Sequence, residues 1–246
     1  MSWIKWGNIE KKLNYDKINA MNKWGGRMLK KKAVIFDMDG LMIDSERIAL
    51  KTNIEVHQEY GYPLDESVAL DLVGRNLANT KAYLEDYFGE GYPFDIIRKE
   101  TVKRRMDYYK ENPLQMKKGL VPLLDYLKKE KIKTAVASST RKARIIENLK
   151  EIKVLEYFDY IVGGDQIVHG KPAPDIFLDA CHALKVKPQE ALVLEDSKNG
   201  ILAAVNGNID VICIPDLVQH PQEILDLTYC TLDSLDQVIN EVTSDD

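Results

Sequence analysis

The apolar residues of this chain fall into short runs and amphipathic stretches that alternate over most of its length. Residues 33–36 form a continuous apolar, partly β-branched run, as expected of a strand buried on both faces of a parallel sheet. Four similar runs follow later in the chain, at residues 134–137, 160–162, 191–194 and 211–214. The stretches between these later runs carry apolar residues at helical spacing. This alternation predicts an α/β fold whose core is a five-stranded parallel sheet with helices on both faces.

One long segment interrupts the alternation, because residues 45–112 carry helical patterns and offer no strand candidate. Ile48, Thr52 and Val56 recur at helical spacing in a first helix that ends at a Gly-Tyr-Pro sequence. Three further helices are predicted in this segment, over residues 65–74, 79–88 and 93–111. The segment is therefore predicted to be a compact helical insert.

The chain is predicted to consist of a core, an insert and an N-terminal extension. Residues 28–43 and 115–246 are assigned to the α/β core, and residues 44–114 to the helical insert. Residues 1–27 show no clear period, so we predict an extension outside the fold. The alternative is a short helix that packs on the body through apolar residues such as Trp3.

Composition and charge argue against several classes of protein. The 246 residues carry a net charge of −5, which gives no reason to expect nucleic acid or an anionic membrane as a partner. Three cysteines without close pairing favour a reducing compartment over a disulfide framework. No apolar stretch approaches the roughly 18 residues of a membrane span, and the N-terminus lacks the apolar region of a signal peptide. We therefore expect a cytoplasmic protein that is a monomer or a weak homo-oligomer.

Polar side chains follow four of the predicted strands, at the point where each strand ends. In chain order they are Asp37, Asp39, Ser138, Ser139, Thr140, Lys171, Glu195 and Asp196. Because the carboxyl ends of parallel strands meet at one edge of a sheet, we expect these groups to converge there. Carboxylates, small hydroxyls and a lysine together predict an oxygen-ligated hard cation such as Mg²⁺ beside a phosphate. A zinc site is not expected, because the chain lacks a suitable set of His and Cys ligands.

Each of these groups also has an ordinary structural explanation. The Ser-Ser-Thr sequence could cap the helix that follows it, although a helix start can also bind an anion through its exposed N–H groups. Lys171 could be a surface lysine, and the Glu-Asp pair could be acids favoured by a helix dipole. Asp165 and His169 are interpreted as structural. A coincidence at four strand ends is much less expected than at one, so the functional interpretation is preferred.

Four short motifs, in this order, resemble those of the haloacid dehalogenase superfamily. They are D-M-D-G at residues 37–40, S-S-T-R at 138–141, G-K-P-A-P-D at 170–175 and L-E-D-S-x-N-G at 194–200. The resemblance extends over nearly all of the chain from Met28 onwards. The helical insert resembles the cap of the branch that contains β-phosphoglucomutases and many phosphatases. The resemblance implies a Rossmann-like core and an enzyme that uses Mg²⁺.

The resemblance also implies a role for each residue that matches a motif. Asp37 corresponds to the nucleophile that becomes an aspartyl phosphate, and Asp39 to the acid and base that serves the leaving oxygen and then the water. Mg²⁺ would be held by Asp37, the backbone carbonyl of Asp39 and Asp196, with Glu195 as an additional or outer-shell acid. The phosphoryl group would be bound by Ser138, Lys171 and the N–H of Ser139.

The substrate depends on the insert, and here the resemblance leaves more than one function open. β-Phosphoglucomutases have a histidine twelve residues after the nucleophile, where this chain has Ala49, and His57 does not replace it. Arg75, in the loop after the second predicted helix of the insert, corresponds to a substrate contact. We therefore expect a phosphatase of a small phosphorylated metabolite, such as a sugar phosphate or a nucleotide-like molecule, with a phosphosugar mutase as the alternative. A non-catalytic binding or regulatory relative would lack one of the core site residues, and all of them are present.

Overall fold

The computed structural model describes residues 29–73 and 77–243. The predicted N-terminal extension, residues 1–27, and the predicted substrate contact Arg75 lie outside the described residues, and both stay predictions. Within the described part of the chain, no helix is long and apolar enough to cross a membrane.

The described chain begins with two strands, which are followed by a block of four helices. After that block, helices and strands alternate. The strands are β1 (Leu29–Lys30), β2 (Ala33–Phe36), β3 (Lys133–Ser138), β4 (Tyr160–Gly163), β5 (Ala191–Glu195), β6 (Asp210–Cys213), β7 (Cys230–Thr231) and β8 (Val242–Thr243). The α-helices are α1 (Glu46–Glu59), α2 (Glu66–Asp71), α3 (Leu77–Phe88), α4 (Phe94–Glu111), α5 (Leu120–Lys129), α6 (Lys142–Glu151), α7 (Asp175–Leu184), α8 (Lys198–Asn206) and α9 (Gln222–Leu225).

Six strands form one parallel sheet in the order β4-β3-β2-β5-β6-β7. Strand β2 lies inside it, with Ala33 opposite Lys133 of β3 on one side and Ala191 of β5 on the other. The predicted α/β class is confirmed, but the predicted number of five strands is wrong. The additional strand, β7, has only two residues, which is too short to show a recognisable hydrophobic pattern. The same holds for β1 and β8, which form a separate parallel pair.

Helices cover both faces of the sheet. Val34 and Phe36 of β2 belong to a buried cluster that also contains apolar residues of α5 and α6. Ala33 and Ile35 belong to a second cluster, which contains apolar residues of α7 and α8. All four residues are fully buried, and adjacent strand residues face opposite sides. The continuous apolar run therefore reflects a strand with a helical layer on each face.

Helices α1 to α4 form the helical insert between β2 and α5. The insert has a hydrophobic cluster of its own, whose buried members include Val56, Leu84 and Ile97. Helix α2 ends at Asp71, three residues earlier than the predicted residue 74. The separate cluster supports the assignment of residues 44–114 to a domain of their own, which stays a prediction.

The two segments that connect the insert to the sheet lie side by side. Ile43 and Met116 form an antiparallel bridge. Asp216, in the loop after β6, is buried and accepts a hydrogen bond from Lys117 at 2.6 Å. Arg47, at the start of α1, lies 3.6 Å from the same carboxylate. Both ends of the insert are therefore held near one loop of the core by charge.

Candidate active site

The candidate site lies at the carboxyl ends of β2, β3 and β5. Asp37 follows β2, and its backbone N–H donates to the carbonyl of Leu194 in β5 at 3.1 Å. The chain then turns at Gly40, which has a φ of +81°. A Cβ atom on Gly40 would lie 2.2 Å from Oδ2 of Asp196, so any side chain there would collide with this carboxylate. The glycine of the D-M-D-G motif thus allows the ends of β2 and β5 to approach closely.

Lys171 joins two carboxylates at the centre of the site. Its Nζ atom lies 2.5 Å from Oδ1 of Asp37 and 2.6 Å from Oε1 of Glu195. The side chain of Lys171 is 5% exposed. Burial lowers the pKa of Lys171, but the charges and hydrogen bonds of Asp37 and Glu195 outweigh that effect and raise it above its ordinary value. Lys171 is therefore a fixed positive charge beside Asp37.

Glu195 is fully buried, and both of its carboxylate oxygens accept hydrogen bonds. While Oε1 accepts from Lys171, Oε2 accepts from the backbone N–H groups of Asp196 and Ser197 at 3.0 and 2.9 Å. The Ser197 hydroxyl donates to the same oxygen at 3.0 Å. Gly200 leaves the space that this carboxylate occupies, since a Cβ atom there would lie 1.7 Å from Oε1. Glu195 is thus arranged to hold Lys171 in place, while its direct contact with a metal ion stays a prediction.

Three buried acids form a group that could hold a metal ion. Asp37, Glu195 and Asp196 each offer one oxygen atom, and these atoms lie within 4.8 Å of one another. Oδ1 of Asp196 is buried and has no hydrogen-bond partner among the described residues. Burial raises the pKa of Asp37 to about 8 in spite of Lys171, and burial with the neighbouring acids raises the pKa of Asp196. A hard cation such as Mg²⁺ fits these residues, because it would bind the unpaired oxygen and relieve the repulsion.

Asp39 lies beside this group but has different partners. Its Oδ1 accepts a hydrogen bond from the Ser45 hydroxyl at 2.8 Å, and its Oδ2 accepts one from the Thr140 hydroxyl at 2.7 Å. The Ser138 hydroxyl is farther away, at 3.4 Å. The two aspartates of the D-M-D-G motif therefore have distinct surroundings. Asp37 is paired with an ammonium group, whereas Asp39 is bound by neutral hydroxyls that can both donate and accept.

The residues predicted to bind phosphate lie at the same edge of the sheet. Ser138 ends β3, is buried, and accepts a hydrogen bond from the N–H of Thr140 at 3.1 Å. Ser139 follows it and is exposed. Lys171 and Ser138 are brought next to Asp37 and Asp39 respectively. Phosphate binding by Ser138, Ser139 and Lys171 stays a prediction.

Sequence patterns assign no individual role to three residues that the structure brings to this site, although Thr140 is among the polar groups predicted at this edge of the sheet. Ser45 and Thr140 precede helices, where a hydroxyl is ordinarily interpreted as a cap, yet Ser45 makes no capping hydrogen bond through its side chain. Glu46 lies nearby, and burial followed by the charge of Asp39 raises its pKa to about 7. The available signal is their position, since Ser45 and Glu46 belong to the D-S-E sequence that follows D-M-D-G.

Two polar residues interpreted as structural have structural contacts. Oδ1 of Asp165 accepts a hydrogen bond from the backbone N–H of Lys142 at 2.9 Å, at the start of α6. Nδ1 of His169 lies 3.0 Å from Oδ1 of Asp175 on the surface. These contacts agree with their exclusion from the candidate site.

Comparison with known proteins agrees with the motifs and the fold. A family model described as haloacid dehalogenase-like hydrolase matches residues 34–214. The phosphorylated carbohydrates phosphatase of Thermotoga maritima is 33% identical over 183 residues, which are 73% of this chain and 82% of that protein. The β-phosphoglucomutase of Bacillus subtilis is 31% identical over 178 residues, 70% of this chain and 78% of that protein.

A solved structure supports the fold independently. The β-phosphoglucomutase from Clostridium difficile superposes with a TM-score of 0.71 at 23% identity, covering 84% of this chain and 92% of that one. At this identity the likeness concerns the fold alone. The family model, in contrast, matches well over half of the chain and includes the aspartates, Lys171 and the Glu-Asp pair. The protein therefore belongs to the haloacid dehalogenase-like hydrolase family.

Proposed function

We propose that this protein is a Mg²⁺-dependent phosphatase of a small phosphorylated metabolite and that it acts through an aspartyl-phosphate intermediate on Asp37. The observation that carries the proposal is the pairing of Asp37 with Lys171 inside a buried group of acids, beside a second aspartate that is bound by hydroxyls. The phosphatase name of the Thermotoga relative supports the same class of reaction.

The metal would be held by Asp37 and Asp196, with the backbone carbonyl of Asp39 as a further oxygen and Glu195 as an outer-shell acid. When bound, Mg²⁺ would neutralise negative charge on the phosphoryl oxygens and on the surrounding acids. The partnerless Oδ1 of Asp196 supports this assignment. Because both oxygens of Glu195 already accept hydrogen bonds, the outer-shell position suits it better.

Asp37 would act as the nucleophile that takes the phosphoryl group from the substrate. It is largely buried, so few water molecules compete for its carboxylate. Lys171 would stabilise the phosphoryl oxygens by charge, and Glu195 would keep the ammonium in position. Ser138 and the N–H of Ser139 would bind the remaining phosphoryl oxygens. Phosphoryl transfer depends mainly on such positioning and charge neutralisation.

Asp39 would serve as the general acid and then as the general base. It must carry a proton to protonate the leaving oxygen, and must accept one from the water that cleaves the aspartyl phosphate. The hydroxyls of Ser45 and Thr140 suit both forms of Asp39, because a hydroxyl can rotate from donating to accepting. These neutral partners would let Asp39 change its protonation state without breaking an ion pair.

The direct test is hydrolysis of p-nitrophenyl phosphate by the purified full chain, with Mg²⁺ and with EDTA. We expect nitrophenol release with Mg²⁺ and at least a tenfold loss with EDTA, restored by excess Mg²⁺. Asp107→Asn is a matched control, because Asp107 lies on the surface of α4 and contacts only Lys110 among the described ion pairs. This variant should retain activity. If the unmodified protein releases no phosphate from any monoester under either condition, the proposal is contradicted.

A phosphosugar mutase is the second candidate, and the similarity to the Bacillus β-phosphoglucomutase favours it. The residue at the position of the mutase histidine argues against it, because Ala49 is buried and has no proton to donate. His57 lies inside the insert, with Nδ1 at 2.7 Å from the carbonyl of Asn53 and Nε2 at 2.6 Å from the Tyr92 hydroxyl. With β-glucose 1-phosphate, Mg²⁺ and a trace of the bisphosphate, we expect release of inorganic phosphate. Rapid accumulation of glucose 6-phosphate would favour the mutase instead.

A further inference from the structure

Arg47, in the first turn of α1, lies between two carboxylates at the base of the insert. Its Nε atom is 3.3 Å from Oδ2 of Asp44, and its Nη2 atom is 3.6 Å from Oδ1 of Asp216. Within the described part of the chain, the guanidinium makes a hydrogen bond to neither carboxylate. The side chain of Arg47 is 58% exposed, so it has room to rotate towards either acid.

Both carboxylates have a buried oxygen that lacks a hydrogen-bond partner among the described residues, Oδ1 of Asp44 and Oδ2 of Asp216. The side chain of Asp216 is only 2% exposed, and Lys117 donates to its other oxygen at 2.6 Å. A buried carboxylate oxygen without a donor is costly. The planar fork of an arginine is suited to bind both oxygens of one carboxylate. Each acid can therefore bind Arg47 more fully than it does in this structure.

The two possible ion pairs differ in what they join. Asp44 and Arg47 both lie in the predicted insert, so a pair between them makes no connection to the core. Asp216 lies in the core, in the loop after β6, so its pair with Arg47 joins the insert to the core. Lys117 belongs to the core side of the chain, and its hydrogen bond holds the Asp216 carboxylate in place. The partner that Arg47 binds therefore decides whether this end of the insert is held to the core.

The backbone next to these side chains forms a narrow connection between the insert and the core. The N–H of Asp44 donates to the carbonyl of Gln115 at 2.9 Å, and the N–H of Lys117 donates to the carbonyl of Met42 at 2.9 Å. These bonds keep the two connecting segments together. Arg47 lies only one helical turn beyond this connection. A small rotation of α1 about the connection would move the guanidinium from one carboxylate towards the other.

We propose that Arg47 is an ion-pair switch that controls the position of the insert. When it binds both oxygens of Asp216, the insert is held against the core, and when it binds Asp44, the insert is released. The ratio of these two arrangements sets how often the insert stands away from the sheet edge. An ion pair of an exposed arginine has a small free energy, so removing one charge is enough to shift the ratio. The inference concerns a movement and does not depend on the reaction proposed above.

The test measures the position of the insert directly, in the full chain. One spin label is attached at Ile96→Cys, an exposed position near the start of α4, and the other at Lys150→Cys, an exposed position on α6 of the core. Cys181 and Cys213 are buried, and Cys230 is replaced by Ser to keep the labelling specific. Double electron–electron resonance then records the distribution of distances between the labels. We expect a shorter and a longer distance, with a ratio that depends on the charges around Arg47.

Removing one acid at a time should shift this ratio in opposite directions. Asp216→Asn removes the charge that holds Arg47 to the core but keeps an oxygen for Lys117, so the ratio of longer to shorter distance should rise about threefold. Asp44→Asn removes the competing charge, so the ratio should fall about threefold. Lys51→Gln is the control, because Lys51 is an exposed base on the same helix that pairs with Glu55 inside the insert. It should leave the ratio unchanged.

Replacing Arg47 itself shows whether the two acids act through it. Arg47→Gln should raise the ratio about as much as Asp216→Asn, because it removes the same pair from the other side. If Asp216→Asn does not fold, Arg47→Gln therefore takes its place in the comparison with Asp44→Asn. In the Arg47→Gln chain, the change of Asp44 to Asn should alter the ratio by less than about twofold.

Three results would overturn the inference. Shifts in the same direction for the two acids would show that both merely stabilise the connection. A shift on replacing Asp44 that persists without Arg47 would show that this acid acts through another group. A single distance that no variant changes would show that the insert has one position. All of these measurements are made without turnover, so they are independent of the test of the phosphatase function.

Discussion

The sheet core and the helical insert differ in how they satisfy their buried polar groups. In the core, most of the buried polar groups at the strand ends are ionisable, and Lys171 joins Asp37 to Glu195. In the insert, the buried polar residues are neutral in the described contacts: the hydroxyls of Thr52 and Thr101 donate to backbone carbonyls within their own helices.

This difference indicates which region carries the chemistry and which region mainly provides structure. Buried charges are costly unless they are paired, so a cluster of them is expected where their chemistry is used. Neutral hydrogen bonds inside helices have no such cost and mainly keep the insert folded. We infer that the core carries the phosphoryl chemistry, whereas the insert lines the space beside Asp196 through residues such as Leu70 and Val73. The predictions below test this division.

The largest expected effect is on catalysis and separates the two aspartates of the core. Asp37→Asn should lower turnover of every phosphate monoester by more than about 10³-fold, because no nucleophile remains. Asp39→Asn should almost stop the hydrolysis of sugar phosphates, whose alkoxide leaves poorly without a proton. p-Nitrophenolate leaves without help, so this ester should still phosphorylate Asp37. Rapid mixing should then record a burst of nitrophenol of at most one equivalent, followed by a slow steady rate.

One result would contradict the acid and base role of Asp39. If Asp39→Asn slows both kinds of ester equally and gives no burst, Asp39 is not the acid and base. It would then be a residue that organises the metal or the loop. Thr101→Val, deep in the insert, is a useful control because it should leave the rate with p-nitrophenyl phosphate nearly unchanged.

The second prediction compares one glycine from each region. Gly200→Ala in α8 should destabilise the fold by about 3 kcal/mol, because the new Cβ would lie 1.7 Å from Oε1 of Glu195 and break the contact with Lys171. Gly61→Ala in the insert has open space within 4 Å but a φ of +78°, so it should cost about 1 kcal/mol. Urea unfolding of both variants measures the difference. Equal losses would show that the buried carboxylate adapts to the added methyl group.

The third prediction concerns the neutral network of the insert. Tyr92→Phe removes the hydroxyl that donates to Nε2 of His57 and leaves that buried nitrogen without a partner. The free energy of unfolding should fall by about 1–2 kcal/mol. Activity toward p-nitrophenyl phosphate should stay within about twofold, because the chemistry lies in the core. A large loss of activity at unchanged stability would break the proposed division of tasks.

The smallest expected effect is a pH dependence from the same histidine. Burial lowers the pKa of His57 below its ordinary value of 6.5, so the unfolded chain binds a proton at a higher pH than the folded chain. The contribution of His57 to stability is therefore complete above pH 6.5 and is lost as the pH falls below it. Thermal unfolding at pH 7.5 and 5.5 should show a smaller acid-induced loss for His57→Gln than for the unmodified chain. Identical losses would mean that His57 stays accessible to protons when folded.

The sequence predicts the core better than the site, for physical reasons. A buried strand such as β2 can be recognised in the sequence, because all of its residues are buried and apolar. The polar residues that follow it indicate the edge of the sheet. Strands of two residues, such as β7, carry too few positions for any pattern. The hydroxyls of Ser45 and Thr140 donate hydrogen bonds to Asp39, although these residues lie 6 and 101 positions away from it in the sequence. Only the folded chain reveals that these hydroxyls bind an acid rather than cap a helix.

The orientation of the Glu195 carboxylate is also not predictable from the sequence. Its position next to Asp196 predicts an acid at the sheet edge, but the sequence cannot say where each oxygen points. In the structure one oxygen binds Lys171 and the other binds three donors of the following turn. The space for this arrangement comes from Gly200, five residues farther along the chain. Geometry of this kind depends on the turn and on packing, which residue types alone do not specify.

The two carboxylates around Lys171 also determine how this amine responds to chemical labelling. Amine-reactive esters and aldehydes attack the uncharged form of lysine, and the ion pairs with Asp37 and Glu195 raise the pKa of Lys171 above its ordinary value. Its side chain is also only 5% exposed, whereas that of Lys51, on the first helix of the insert, is 66% exposed. A brief treatment of the native protein should therefore label Lys51 and spare Lys171. Labelling of Lys171 under these conditions would serve as a footprint of an opened site.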